Sequence, residues 1–275
     1  MQVYGVGSRP AGRVGLIDRA GHPQAATGRR PGSTPDRSNG GGPQSLADRS
    51  ARSAAVRLRV PFSTMERAHR VGLRTFASVA DDILASAPRR GGTRIVAVDG
   101  GSAAGKSTFA ARLARALGTT VLHTDDVAWW ESFFGWTPLL VEGVLEPLLD
   151  GRSVRFRPPA WEARERDGAI VAEPGPSLVV EGVGAGRQEL SGYLDHLVWV
   201  DTDRQLAYER GLARPGEDPV FWREWELAEE EHFARDRPWE RADLLVGNDP
   251  PLPPDPEQQL RVIDAATWRV EDRPR

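Results

Sequence analysis

A glycine-rich segment carries the clearest chemical pattern in the chain. Residues 100–107 read Gly-Gly-Ser-Ala-Ala-Gly-Lys-Ser and satisfy the spacing G-x-x-x-x-G-K-[ST]. In this pattern a glycine-rich turn lets successive backbone N–H groups face a polyphosphate at close range, where a side chain would block the approach. The spacing therefore predicts a phosphate-binding loop, which we call the phosphate loop, residues 100–107.

The sequence on either side supplies the elements that such a loop needs. Residues 95–98 form a short apolar, β-branched run, and residues 108–117 place Phe109, Leu113 and Leu117 four apart. These patterns predict a strand before the loop and a helix after it. The free N–H groups and the dipole at a helix N-terminus favour an anion, so the predicted context fits the predicted ligand.

The basic residues of the chain single out Lys106. Of the 36 basic residues, 35 are arginine, and Lys106 is the only lysine in the sequence. The compact ammonium group of a lysine fits between phosphates, where the broad guanidinium fork is a poor replacement. The one departure from arginine thus occurs where the phosphate-loop interpretation requires a lysine.

Composition excludes several classes of protein. The chain has 275 residues, a net charge of −3 and no cysteine, which rules out disulfides, thiolate metal sites and thiol catalysis. No apolar run approaches the ~20 residues that span a bilayer. The net charge gives no argument for nucleic acid or a membrane as partner, and we expect a cytoplasmic protein.

The chain divides into four predicted segments. Residues 1–60 contain ten Arg, ten Gly and five Pro with few large apolar residues, so we expect disorder there. We interpret residues 1–64 as a disordered extension or as upstream sequence from a wrong start, with a nucleic-acid-binding arm or a transit peptide as alternatives. A capping box at 63–66 and an apolar stripe predict an amphipathic helix and linker over 65–92. The main domain follows at 93–248, and 249–275 is a proline-rich tail.

Predicted strands and helices alternate along the main domain. Strands are expected at 119–123, 178–181, 197–201 and 242–246, helices at 137–149, 202–214 and 217–235, and a hairpin-like insertion between 153–157 and 169–172. A capping box of Thr202 and Gln205 opens the second of these helices. This alternation predicts an α/β fold with a mainly parallel sheet and helices on both faces.

Carboxylates follow several of the predicted strands. Asp125 and Asp126 come just after the strand at 119–123, and Glu181 and Asp201 end the next two strands. Ligands of parallel α/β sheets bind outside the carboxyl ends of the strands, so these acids are site candidates. A helix cap or turn is an equally good interpretation of the Asp pair. Either Glu181 or Asp201 could sit beside a metal-bound phosphate.

Three further patterns have competing interpretations. Arg210 and Arg214 are four apart and share one helix face, which suits solvated surface or contacts to a polyphosphate. The aromatic residues of 129–136 suit a core flank, which we favour, or a cleft wall. The glycines of 182–186 suggest a dinucleotide turn but lack its third spaced glycine.

Taken together, these features resemble the uridine kinase family, a nucleoside-kinase branch of the P-loop kinases. The resemblance covers roughly residues 93–248. It rests on the phosphate loop, the segment Leu122-His123-Thr124-Asp125-Asp126, the strand end Val180-Glu181-Gly182 and the arginine-bearing helix. The chain departs from the family pattern in having Pro159-Ala160-Trp161-Glu162 where a Tyr-Asp-Phe type segment is usual.

The resemblance implies a P-loop kinase fold with a lid, and ATP and Mg²⁺ as cofactors. It implies that Lys106 holds the β and γ phosphates and that Asp125 takes the proton of the acceptor hydroxyl, with Asp126 as the alternative. Arg210 and Arg214 would be lid residues, and Ser107, Asp125 and Glu181 would lie at the metal. The nucleotide would be bound by Gly100, Gly101, Ser102, Ala103, Ala104, Gly105, Lys106, Ser107 and Thr108.

The function expected from the sequence is ATP-dependent phosphoryl transfer to a hydroxyl of a small molecule, with a nucleoside as the leading acceptor. The alternative is a P-loop NTPase that works as a nucleotide-hydrolysing switch or adaptor. A third reading, a nucleic-acid-binding protein, would require residues 1–60 to be functional.

Overall fold

The structure is a computed structural model that describes residues 71–213, 219–266 and 268. Within these residues it contains one seven-stranded sheet and one two-stranded sheet. The strands are β1 (Val71–Thr75), β2 (Arg94–Gly100), β3 (Val121–His123), β4 (Val154–Phe156), β5 (Ile170–Ala172), β6 (Ser177–Glu181), β7 (His196–Asp201), β8 (Leu244–Gly247) and β9 (Gln259–Ile263).

The large sheet has the order β1-β9-β8-β7-β2-β6-β3. Strands β3, β6, β2, β7 and β8 run parallel to one another, and β9 and β1 join antiparallel at one edge. Strand β2 therefore lies at the middle of the parallel part, between β6 and β7. The carboxyl ends of the five parallel strands meet at one edge of the sheet, where α/β proteins bind their ligands.

Helices connect the strands. They are α1 (Phe76–Ala85), α2 (Lys106–Leu117), α3 (Thr124–Val127), α4 (Thr137–Leu140), α5 (Glu146–Leu149), α6 (Pro159–Ala163), α7 (Arg204–Leu212) and α8 (Pro219–Asp236). A π-helical segment, Val141–Leu145, joins α4 to α5, so the helix predicted over 137–149 is present but changes its winding in the middle.

The core lies on both faces of the sheet because side chains along β2 alternate between them. Ile95 and Ala97 pack in a cluster with Leu140 and other residues of α4 and α5. Val96 and Val98 face the opposite cluster, which includes residues of α1 and α2 such as Leu113. Covering both faces with helices explains why the parallel strands are apolar along their whole length. The predicted α/β fold with a mainly parallel sheet is confirmed.

The start of the first helix differs from the prediction. Residues Val71–Thr75 form strand β1, which pairs with β9, and helix α1 begins only at Phe76. Thr75 caps the helix, since its side-chain oxygen accepts a hydrogen bond from the backbone N–H of Ser78 at 3.0 Å. Leu73, which falls within the predicted helix, lies instead on the edge strand β1 and is 54% exposed. The capping box at 63–66 and the extension 1–64 lie outside the described residues.

The predicted division after residue 248 is also wrong. The segment predicted as a proline-rich tail contains β9, which pairs with β8 on one side and β1 on the other. Leu260 and Ile263 of β9 are 3% and 5% exposed. The five prolines among residues 249–256 therefore form a connection between two strands of the same sheet.

Other boundaries follow the sequence closely. Strands β4 and β5 pair antiparallel, as the hairpin-like insertion requires, and Gly118 ends α2 with φ +65°. Helix α7 is capped by Asp203, which accepts from the N–H of Leu206 at 3.0 Å, and not by Thr202. The hydroxyl of Thr202 is used elsewhere, in the site described below.

Candidate active site

The phosphate loop connects the end of β2 to the start of α2, and two of its glycines are required by close contacts. A Cβ on Gly100 would lie 2.4 Å from the carbonyl oxygen of Val200. Gly105 has φ +94°, and a Cβ there would lie 2.2 Å from Nδ2 of Asn248. Because no side chain fits at either position, neighbouring strands pack directly against the backbone of the loop.

Residues at the ends of β7 and β8 fix the loop from behind. The carbonyl oxygen of Ala104 accepts hydrogen bonds from Oγ1 of Thr202 at 2.9 Å and from Nδ2 of Asn248 at 2.8 Å. The N–H of Ala104 donates to the carbonyl oxygen of Gly101 at 3.1 Å. These bonds fix the orientation of the Ala104 peptide and with it the shape of the loop. The sequence analysis missed both anchors, although each is a polar residue directly after a buried strand.

Lys106 reaches back across the loop. Its Nζ donates a hydrogen bond to the carbonyl oxygen of Gly101 at 2.9 Å, and the residue is only 7% exposed. A nearly buried ammonium group at a helix N-terminus, beside the backbone N–H groups of the loop, is an arrangement that binds phosphate oxygens.

A serine, a glutamate and a histidine form a hydrogen-bonded row beside the lysine. Ser107 donates from Oγ to Oε1 of Glu181 at 3.3 Å, and Nδ1 of His123 lies 2.6 Å from Oε2 of Glu181. The row forms because α2 begins beside β6, and because His123 and Glu181 are register partners at the ends of β3 and β6. The structure thus brings together two of the predicted metal-site residues, and it adds His123, which the sequence analysis missed as a site residue.

Within this row, His123 and Glu181 shift each other's pKa. The hydrogen bond to Glu181 raises the pKa of His123, against the opposing effect of burial. Burial alone would raise the pKa of Glu181, but the hydrogen bond from His123 and the nearby Lys106 charge outweigh it and leave that pKa lowered. The pair therefore favours the ionised form of Glu181, whose carboxylate is oriented by its hydrogen bond with His123.

The oxygens of Ser107 and Glu181 suit a magnesium ion. Mg²⁺ prefers hydroxyl, carboxylate and phosphate oxygens, and it usually keeps several waters and takes only one or two protein ligands beside a nucleotide. Within the described part of the chain, no group of three or more His, Cys, Asp or Glu residues could hold a metal ion. The donors present therefore fit an ion that is shared with a polyphosphate and not one held by the protein alone.

The adjacent acids of α3, Asp125 and Asp126, differ in their hydrogen-bond partners. Asp126 accepts a hydrogen bond from Nη2 of Arg166 at 2.6 Å, and its backbone oxygen accepts from Nε1 of Trp161 at 2.9 Å. Asp125 is exposed, and its carboxylate makes no hydrogen bond to any described residue. Both carboxylates act on the pKa of His123 through their charge, so both lie near the Ser107–Glu181 row. The structure does not place Asp125 in contact with the other predicted metal-site residues.

Asp99, which the sequence analysis missed, supports the site from inside the sheet. It is fully buried, and its carboxylate accepts hydrogen bonds from the N–H groups of Gly184 and Gly186 at 2.9 Å each. The segment of residues 182–186 is therefore a loop held against the end of β2. Burial raises the pKa of Asp99 to about 6, although these N–H donors and Lys106 act in the opposite direction.

A pocket of about 210 Å³ opens beside the phosphate loop. Its lining includes Arg210 of α7, together with Gly105, Thr108, Arg112, Asn248 and Leu252. The predicted lid residue Arg210 thus lines the same pocket as Gly105 of the phosphate loop. Arg214 lies outside the described residues.

The aromatic segment after α3 is divided between core and cleft wall. Trp136 is 1% exposed and packs in the core, as favoured from the sequence. Phe134 is partly buried and stacks on Trp225 and His232 of α8, with ring centroids 5.6 and 4.2 Å apart. Trp225 in turn donates from Nε1 to Oγ of Ser102 at 2.6 Å. Helix α8 therefore reaches the phosphate loop, a contact that the sequence gave no reason to expect.

Comparisons with known proteins find similarity among solved structures alone. No family model matches the chain. No curated protein matches it either. A possible uridine kinase from Bacillus stearothermophilus superposes with a TM-score of 0.42 at 19% identity, covering 62% of this chain and 96% of that one.

Two further solved structures are similar at a comparable level. A candidate fructose transport system kinase from Silicibacter gives a TM-score of 0.35 at 21% identity over 62% of this chain and 95% of the other. Shikimate kinase from Bacteroides thetaiotaomicron gives 0.31 at 14% identity, over 56% and 85%. Similarity at this level does not identify a family, so the case for a function comes from the site.

No helix within the described residues is both long enough and apolar enough to cross a membrane.

Proposed function

We propose that the protein is an ATP-dependent kinase that transfers the γ-phosphoryl group to a hydroxyl of a small molecule. The observation that carries the proposal is the preformed phosphate loop, with Lys106 buried beside it and the Ser107–Glu181 oxygens next to the lysine. Phosphoryl transfer depends mainly on positioning and on neutralising charge, and these groups supply both.

Each group has a defined task in this proposal. The N–H groups of the loop bind phosphate oxygens, and the Nζ of Lys106 exchanges the Gly101 carbonyl for oxygens of the β and γ phosphates. Ser107 and Glu181 would hold Mg²⁺, which when bound neutralises charge on the phosphates. His123 keeps the Glu181 carboxylate ionised and oriented. Asp125, exposed near this row, receives the proton of the acceptor hydroxyl.

The pocket next to Gly105 and Thr108 is the proposed place of the nucleotide's base and ribose. Leu252 supplies an apolar wall, and Arg210 and Arg112 supply cations at its rim. A largely apolar recess with a few polar groups is what small-molecule sites commonly offer. Because it adjoins the start of α2, a nucleotide bound there would extend its phosphates into the loop.

A nucleoside is the proposed acceptor, and the surroundings of Asp126 support an aromatic one. The guanidinium carbon of Arg166 lies 3.6 Å from the ring centroid of Trp161 and 5.1 Å from that of Trp129. Arg166 covers the face of the buried Trp161, so the partly exposed Trp129 is the ring that could stack on a planar acceptor, with Arg166 and Asp126 available to hydrogen-bond to the acceptor's edge. The resemblance of the sequence to uridine kinases points to the same class.

The first test separates a kinase from a nucleotide-hydrolysing switch. ADP release is measured with a panel of nucleosides and small alcohols, and mass spectrometry identifies the phosphorylated product. We expect acceptor-dependent ADP release that falls by roughly 10²-fold or more in Lys106→Ala, since a phosphate-stabilising cation is lost. Arg152→Ala, which removes an exposed surface cation, is the matched control. Free phosphate without any phosphorylated acceptor would contradict the proposal and favour the switch.

The second test concerns Asp125 as the general base that accepts the proton of the acceptor hydroxyl. Asp125→Asn keeps the shape of the side chain but removes the proton acceptor, so transfer should fall by roughly 10²- to 10⁴-fold with little change in ATP affinity. Asp126→Asn should be milder, since it weakens the ion pair with Arg166. Transfer rates and ATP dissociation constants are measured for both variants. Equal losses of ATP binding and transfer in Asp125→Asn would make Asp125 a structural or metal-site residue.

A further inference from the structure

A carboxylate of helix α8 occupies part of the phosphate loop. Oε1 of Glu229 accepts a hydrogen bond from the backbone N–H of Ser102 at 2.7 Å. Ser102 is the third residue of the phosphate loop, whose N–H groups are the ones that face a polyphosphate. The side chain of the same serine accepts a hydrogen bond from Trp225, one turn earlier on α8. Both contacts come from residues far along the chain from the loop.

Glu229 lies among groups that would also act on a phosphate. Burial raises its pKa, and the Lys106 charge acts in the opposite direction, favouring the carboxylate as it would favour a phosphate. A carboxylate and a phosphate both present anionic oxygens to N–H donors and cations. Two anions cannot share the Ser102 N–H and the Lys106 charge without strong repulsion, because burial reduces the screening between them.

Helix α8 is held by contacts of different kinds. Trp225 meets Phe133 edge to face at a centroid distance of 5.1 Å and stacks on Phe134. At the exposed face, Arg204 of α7 pairs with Glu226 and Glu230, which flank Glu229 by a turn or less. Apolar stacking keeps α8 near the site, while the contact of Glu229 with the loop is polar and can be exchanged for another anion.

We propose that α8 is a latch on the phosphate loop, in which the Glu229 carboxylate takes the place of the terminal phosphate and is displaced when a nucleoside triphosphate binds. Lys106 is the residue that reaches the β and γ phosphates in loops of this kind, and its charge acts on Glu229, so the proposal assigns Glu229 to the γ end. The inference rests on the proposed function in so far as that function requires triphosphate binding.

The latch lowers the apparent affinity for ATP, because part of the binding free energy is used to displace Glu229. Glu229→Gln keeps the size of the side chain but removes its charge, and its hydrogen bond to Ser102 becomes a weaker, neutral one. Affinity for ATP should therefore rise about tenfold in this variant. Affinity for ADP should change less, since ADP does not reach the γ end of the loop.

The experiment is titration calorimetry of the full chain with MgATP and MgADP. It compares the wild-type protein with Glu229→Gln, and with Glu231→Gln as a control for charge removal from an exposed position on the same helix. Trp225→Phe is the second variant, because it keeps an aromatic ring against Phe134 and loses the indole N–H; it should raise ATP affinity in the same direction. Thermal melts establish that each variant is folded.

The outcomes separate the latch from the proposed function. ATP binding that depends on Lys106, with unchanged or weaker affinity in Glu229→Gln, overturns the latch and leaves the kinase proposal standing. Failure of both the wild-type protein and Glu229→Gln to bind ATP contradicts both proposals. A tenfold gain in Glu231→Gln as well would show a general charge effect and would also overturn the latch. A gain confined to Glu229→Gln and Trp225→Phe supports it.

Discussion

Asp99 shows how a single buried side chain can organise a site without touching a ligand. Its carboxylate joins the end of β2 to the backbone of residues 182–186. The loop residues 100–107 could be predicted because their spacing is local in sequence. The contacts of Asp99, His123 and Glu229 could not, since each depends on which strand or helix becomes a neighbour; Glu229 is 127 residues from Ser102.

The raised pKa of Asp99 leads to a pH-dependent prediction. Its pKa rises from 3.8 to about 6 on folding, so the native state holds this proton more tightly than the unfolded chain does. The stabilisation linked to that proton is fully present below 3.8 and is lost as pH rises through about 6. A shift of this size corresponds to roughly 3 kcal/mol.

Urea unfolding of the wild-type protein and Asp99→Asn between pH 4 and 7 measures this effect. Asn has one acceptor oxygen and presents an N–H₂ group to a backbone donor, so the variant should be less stable by about 2–4 kcal/mol at low pH. The difference should shrink by up to roughly 3 kcal/mol as pH rises. Parallel stability curves for the two proteins would contradict the linkage.

Strand β9 is the element that sequence reasoning placed least well. The parallel strands could be predicted because they are continuous apolar runs, buried on both faces. Strand β9 follows a proline-rich connection, and its apolar–polar alternation extends only over Leu260, Arg261 and Val262, so its pairing with β1 and β8 was not predictable from local pattern. The same pairing holds residues 71–75 as a strand and moves the start of α1 to Phe76.

The contribution of β9 can be measured at Leu260, which is 3% exposed and packs in the cluster with Phe76 and Phe109. Leu260→Ala should lower the free energy of unfolding by about 2–4 kcal/mol, because it removes buried apolar surface and leaves a cavity. Leu227→Ala, at a position that is 68% exposed, is the control and should have little effect. Equal urea midpoints for the two variants would show that β9 adds little to stability.

Across the whole molecule, the site lies where the parallel strands end, and every strand of that part contributes to it. The ends of β2, β3 and β6 supply the loop, His123 and Glu181, and the ends of β7 and β8 supply the anchors Thr202 and Asn248. Strand order could not be read from the sequence, because it is decided by packing between segments that are distant along the chain. The location of the site at the strand ends could be predicted from the sequence, since it follows from the parallel arrangement of the strands.

Because the chain has a single lysine, cleavage at that residue measures how accessible the phosphate loop is. A protease specific for lysine can cut this protein at one peptide bond only, giving fragments 1–106 and 107–275, and no lysine elsewhere offers a competing cut. Because Lys106 is 7% exposed at the start of α2, cleavage requires local opening of the phosphate loop and the start of α2. We expect slow appearance of the two fragments on a gel, and slower still with MgATP present. Rapid cleavage that MgATP does not change would mean that the segment opens freely and that no nucleotide closes it.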